Sequence, residues 1–210
     1  MNTTRKLLLN SKGFETKLGT LQIRTKCLEL NMEDFANKSI FVVSLPSYEV
    51  DERIVNNCVE ILGFKRENIY LSADGIPKET MIPDVIYVTA GNTFEVLQYM
   101  RDFGLVDYIK DMFKKSENLI YIGSSAGAMI AGTDIKLALD MDSNFVRMVD
   151  FTALDLFVGT IIPHFKPEEL ERYKAEKEES VLEEYPMIYS VSNEEVLVLD
   201  AKLKFLTGEI

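Results

Sequence analysis

The chain has 210 residues, 47% of them hydrophobic and 27% charged, enough to bury a core and ordinary for a globular domain. Its formal net charge of -11 argues against a nucleic-acid groove or an anionic membrane surface as partner, because both need clustered Lys and Arg. One histidine and two cysteines, Cys27 and Cys58, do not complete a tetrahedral zinc set without carboxylates, so neither a metal nor another cofactor is expected.

In chain order, Arg5 and Lys6 lead into the apolar run Leu7-Leu8-Leu9, too short for a secretory core or a membrane span. Lys6–Leu9 therefore reads as a first strand. A helical pattern near Phe14–Leu30 follows, then a strand at Ile40–Ser44 and a helix at Glu49–Leu62. Strands at Ile69–Leu71 and Val85–Val88 precede a long helical pattern over Phe94–Lys115. Leu119–Ile122 is a strand that turns into a helix at Ala126–Ala131. Gly159–Ile162, a helix at Glu168–Glu184, and strands at Met187–Val191 and Val196–Leu199 complete the series. Short apolar runs alternating with amphipathic stretches predict a three-layer α/β/α fold around a mostly parallel sheet. No repeat or Pro/Gly-rich linker interrupts it, so residues 1–210 are expected to be one domain. The mixed-sign run Lys166 to Glu184 reads as a solvated helix face. Cys27 and Cys58 lie outside any C-x-x-C pair, which fits a reducing cytoplasm better than a disulfide framework.

Open α/β sheets place their ligands at the carboxyl ends of strands. Three ends are rich in polar or small residues: Thr89-Ala90-Gly91-Asn92-Thr93, Gly123-Ser124-Ser125-Ala126-Gly127, and Pro163-His164-Phe165. The second matches G-x-S-x-G with Ser125 at its centre. That pattern suits a tight strand-to-helix turn, which exposes a nucleophilic oxygen above the sheet. The Ala126 amide would then lie at a helix start, where it can face an oxyanion. Ser124 is off-centre between the glycines and is the weaker nucleophile. The bland alternative is a Gly/Ser-rich turn that holds a phosphate or nothing. A serine needs a base, and His164 is the only histidine.

Taken together, Ala90-Gly91-Asn92-Thr93-Phe94, Gly123-Ser124-Ser125-Ala126-Gly127-Ala128 and Ile162-Pro163-His164-Phe165 resemble the S51 peptidases, whose members include an aspartyl dipeptidase. The resemblance covers most of the chain from Val85 onward. It implies a fold like that of class I glutamine amidotransferase domains and a catalytic domain that hydrolyses small peptides through an acyl-enzyme. Ser125 would be the nucleophile and His164 the general base, with the Gly91 and Ala126 amides as the oxyanion hole. Ala90 stands where the family has glycine. For the third catalytic residue the resemblance implies Asp140, which precedes Met141 as its family counterpart does. The late loop Val191-Ser192-Asn193-Glu194-Glu195 offers Asn193 at a second family acidic position, with Glu194 beside it. The family's Arg-rich segment after the histidine corresponds to Lys166–Lys177, where Arg172, Lys174 and Lys177 are interspersed with glutamates, so aspartyl specificity is not expected to carry over intact.

Two alternatives stand beside this expectation. One is a cyanophycinase-like exopeptidase sharing the nucleophile and histidine; the other is a non-catalytic binding domain on the same scaffold. A glutamine amidotransferase would need cysteine where Ser125 stands. The expected partner is a small peptide substrate, and the sequence leaves the oligomeric state open.

Overall fold

The computed structural model describes residues 5–78, 81–177, 182–185 and 187–201, and among them lie eight strands and six α-helices, besides shorter helical turns. The strands are β1 (Lys6–Asn10), β2 (Ile40–Val43), β3 (Ile69–Leu71), β4 (Val85–Val88), β5 (Ile120–Ser124), β6 (Thr160–Pro163), β7 (Ile188–Val191) and β8 (Val196–Asp200). The helices are α1 (Lys17–Glu29), α2 (Tyr48–Asn57), α3 (Thr93–Asp102), α4 (Leu105–Lys115), α5 (Ala126–Ile130) and α6 (Pro167–Glu176).

Six strands form one sheet in the order β3-β2-β4-β5-β1-β8, parallel except for β8, which runs against β1. Every residue of β2 and β4 is buried, as expected for apolar runs covered on both faces. Successive residues point to opposite sides. Leu7, Leu9, Phe41, Val43, Ile86 and Val88 pack with residues of α3, α4 and α5 on one face. On the other face Leu8, Ile40, Val42, Val85 and Tyr87 pack with Ile23, Cys27 and Ile54 of α1 and α2. This is the three-layer arrangement expected from the sequence. Cys27 and Cys58 are buried and free, and burial pushes the Cys27 thiol up to about 12.

Three expectations need correction. The helical pattern Phe94–Lys115 is two helices, because the chain turns at Gly104 with φ 68, a left-handed conformation that glycine adopts without steric cost. Asn92 starts the first of them by accepting from the Phe94 and Glu95 amides at 3.1 and 3.2 Å. The strands near residues 160 and 188 lie outside the main sheet. They form their own parallel pair, with Pro163 opposite Val191. The helix expected over Glu168–Glu184 ends at Glu176, and residues 178–181 of that span lie outside the described residues. Among the described residues no helix is long and apolar enough to cross a membrane.

Candidate active site

Strand β5 ends at Ser124, and the chain enters α5 through Ser125 with φ 47 and ψ -104. A side-chain-bearing residue avoids that region unless its surroundings hold it there. Here the Ser125 amide donates to the Asn10 carbonyl at 2.8 Å, and the Ser125 carbonyl accepts from Ala128 at 2.9 Å. Close packing explains both glycines of the motif. A Cβ on Gly127 would run into the Val88 carbonyl, and one on Gly123 would lie 2.5 Å from the Gly127 oxygen. The Gly127 amide instead donates to Thr89 at 3.2 Å, which joins the elbow to the end of β4. Ser124 is fully buried and donates to Asn10 Oδ1 at 3.0 Å, whereas Ser125 is half-buried.

His164 follows β6 and also has positive φ, 67°. Its amide donates to Ser11 Oγ at 2.9 Å, and the Ser11 hydroxyl donates to the Val191 carbonyl at 2.7 Å. The imidazole Nε2 lies 2.9 Å from Ser125 Oγ, and Nδ1 lies 2.8 Å from Asn193 Oδ1. An amide oxygen only accepts, so this arrangement assigns the proton to Nδ1 and leaves the Nε2 lone pair facing the serine. Ser125, His164 and Asn193 thus come together from the ends of β5, β6 and β7.

Asp140 is elsewhere, which corrects the expectation that it orients His164. Its carboxylate accepts from the Tyr173 hydroxyl at 2.6 Å and from Lys177 Nζ at 2.7 Å, while both nitrogens of His164 face Ser125 and Asn193. Partial burial would raise the Asp140 carboxyl, but the hydrogen bonds from Lys177 and Tyr173 outweigh it and hold the group below the ordinary range. Its contacts tie the turn at Lys136–Asp140 to α6. In the late loop the Glu194 amide donates to Ser192 Oγ at 3.3 Å, and Glu194 is exposed. Of the basic residues after His164, Lys174 pairs with Glu171 at 3.1 Å, Lys177 is held by Asp140, and Arg172 is exposed.

Gly91 and Ala126 follow the adjacent strands β4 and β5. Neither amide donates to an acceptor among the described residues. The end of β1 supplies further site residues that no motif marks. Asn10 anchors Ser124 and Ser125 there, Ser11 anchors His164, and Glu15 accepts from Tyr87 and Ala90. The polar run Asn10-Ser11-Lys12-Gly13 directly after Leu7-Leu8-Leu9 was the available signal, since it too is a strand end.

Residues 53–205 match the model of peptidase family S51. A Peptidase E from Haemophilus influenzae (strain KW20) is 30% identical over 188 residues, covering 87% of this chain and 83% of that protein. An uncharacterized peptidase of Listeria monocytogenes is 30% identical over 152 residues, 69% of this chain and 71% of its own length. Among solved structures, a peptidase from an acI-B1 Actinobacterium superposes with a TM-score of 0.60 at 14% identity, covering 94% of this chain and 84% of that one. That likeness bears on the fold alone, a mostly parallel sheet with helices on both faces.

Proposed function

Since the chain belongs to peptidase family S51 and is a peptidase, we propose that it hydrolyses short peptides by a Ser-His mechanism in one catalytic domain. Peptides with an N-terminal aspartate are the first substrate class to test, because the S51 peptidases that the sequence resembles include an aspartyl dipeptidase. One observation carries the mechanism: the line from Ser125 Oγ through the His164 ring to Asn193 Oδ1, at 2.9 and 2.8 Å.

In this mechanism Ser125 Oγ attacks the scissile carbonyl carbon and its proton passes to His164 Nε2. The carbonyl oxygen becomes an oxyanion, which accepts from the Gly91 and Ala126 amides. The intermediate collapses as Nε2 returns the proton to the leaving amine, and the acyl group remains on Ser125. Water, deprotonated by the same nitrogen, then attacks the ester, releasing the acid and restoring the serine. Asn193 keeps Nδ1 protonated through each cycle. As a neutral group it fixes the tautomer without balancing the imidazolium charge, as in Cys-His-Asn proteases. The buried, unpaired Cys27 and Cys58 support work in a reducing cytoplasm.

Hydrolysis of a broad dipeptide panel by the wild type and by Ser125→Ala tests this proposal. The expected result is cleavage by the wild type and none by the variant, with unchanged folding, because only one hydroxyl is removed. Release of β-linked Asp-Arg units alone would favour the cyanophycinase-like alternative. Inactivity of the wild type on every peptide would favour a binding domain.

A further inference from the structure

We propose that Glu15 is a positioning residue of the oxyanion hole: it anchors Ala90 so that the neighbouring Gly91 amide stays free for the oxyanion. The inference rests on the Ser125–His164 mechanism. The half-buried carboxylate accepts from the Ala90 amide with Oε1 at 3.0 Å and from the Tyr87 hydroxyl with Oε2 at 2.7 Å. Ala90 directly precedes Gly91 in the loop that leaves β4.

The same carboxylate reaches the nucleophile's turn. Tyr87 is fully buried in β4, and its oxygen accepts from the Phe14 amide at 2.9 Å and interacts with the Ser124 hydroxyl. Ser124, next to Ser125, donates to Asn10 Oδ1, which also accepts from the Gly13 amide at 2.7 Å. Glu15 therefore closes a polar chain from the Gly91 loop to the elbow. Gly13 lies at its crossing point, where an added Cβ would strike Tyr87 Oη, Glu15 Oε2 and Ser124 Oγ. The two sides of the proposed oxyanion hole are thereby braced against each other by side chains that do not themselves touch substrate.

A neutral group would hold this place at lower cost. Desolvation, the largest influence, raises the Glu15 carboxyl despite the bonds from Tyr87 and Ala90. With the folded-state value raised, Glu15 favours the fold fully below the ordinary carboxylate range and loses that contribution as pH rises through the raised value. Near neutrality, Glu15→Gln should therefore fold at least as stably as the wild type. A group kept mainly for stability would show the opposite.

The test uses the full chain and the variants Glu15→Ala, Glu15→Gln and Tyr87→Phe. Active sites are counted by fluorophosphonate labelling. For each protein, kcat and KM are measured on the best dipeptide of the panel, with the inhibition constant of a peptide boronic acid whose adduct mimics the oxyanion. Losing an oxyanion donor outright lowers kcat by about 10²–10³. Loosening one should cost less, so Glu15→Ala is expected to lower kcat per labelled site by roughly tenfold, with KM nearly unchanged. Boronic acid affinity should weaken by the same factor. Glu15→Gln, which keeps an acceptor for Ala90, should recover most of the loss. Wild-type kcat per labelled site in Glu15→Ala, or a kcat loss with unchanged boronic acid affinity, overturns the inference. If Glu15→Ala does not fold, Tyr87→Phe decides: a smaller kcat loss with parallel weakening of the boronic acid supports it, and unchanged affinity overturns it. A wild type that cleaves peptides without labelling at Ser125 refutes the mechanism itself, an outcome distinct from these.

Discussion

Replacing Asn193 with aspartate measures what a full charge adds where the wild type presents only a dipole. Asn193 Oδ1 lies 2.8 Å from His164 Nδ1, and aspartate can place a carboxylate oxygen at the same point. The charge centres would be about 4 Å apart, an interaction of about 1 kcal/mol in water and about 4 kcal/mol near a protein surface. Both residues are exposed, so the lower value applies. About 1 kcal/mol of added stabilisation for the imidazolium formed during attack raises kcat on the alkaline plateau by roughly fivefold. Asn193→Ala loses one neutral hydrogen bond worth about 0.5–1.5 kcal/mol, so kcat should fall between about twofold and twelvefold. Steady-state kinetics at intervals across neutral pH read all three proteins. Wild-type profiles in both variants would refute the orienting role. A gain near 10⁴ in Asn193→Asp would show instead that the native amide donates to Nδ1 and holds the unproductive tautomer.

Three further outcomes follow from the geometry. His164→Gln should remove the activity and the rise of kcat/KM with pH, because the chain has no second histidine; a residual profile of the same shape would identify another base. Asp140→Asn should leave kcat within about twofold, since its carboxylate binds Tyr173 and Lys177, and should cost at most about 1 kcal/mol at this exposed pair. The Asp140 carboxyl is held low, so its contribution is present at neutral pH and fades as pH falls through the acid range. Thermal unfolding at neutral and acid pH should show that fading in the wild type and not in the variant; a large kcat loss would return Asp140 to the mechanism. Gly127→Ala should destabilise the protein by about 1–3 kcal/mol in denaturant titrations, because the new methyl meets the Val88 backbone; an unchanged midpoint would contradict the packing account of the elbow.

The parts of the fold legible in the sequence were those carried by local pattern. Runs such as Phe41-Val42-Val43 and Ile86-Tyr87-Val88 are buried on both faces, so apolarity alone marked them. Gly123 and Gly127 flank Ser125 because backbone approaches there exclude a Cβ, and a five-residue motif records that constraint. What the sequence hid was set by pairing between distant segments. Nothing local says that β6 and β7 pair with each other outside the main sheet, yet this register sets Pro163 opposite Val191. His164 then emerges beside the loop holding Asn193, while Asp140 faces α6. Asp140 and Asn193 look alike as loop residues in one dimension; only that register separates them. Glu15 was hidden for a related reason, since Ala90 and Tyr87 lie more than seventy positions away along the chain.

In the proposed mechanism Ser125, activated by His164, forms the covalent intermediate. Labelling with a fluorophosphonate, followed by peptide mass mapping of the wild type and His164→Gln, tests it most directly. The modification should fall on Ser125 in the wild type and form far more slowly in the variant. A label on Ser124, an equal rate in His164→Gln, or peptide cleavage by a protein that takes no label would contradict it.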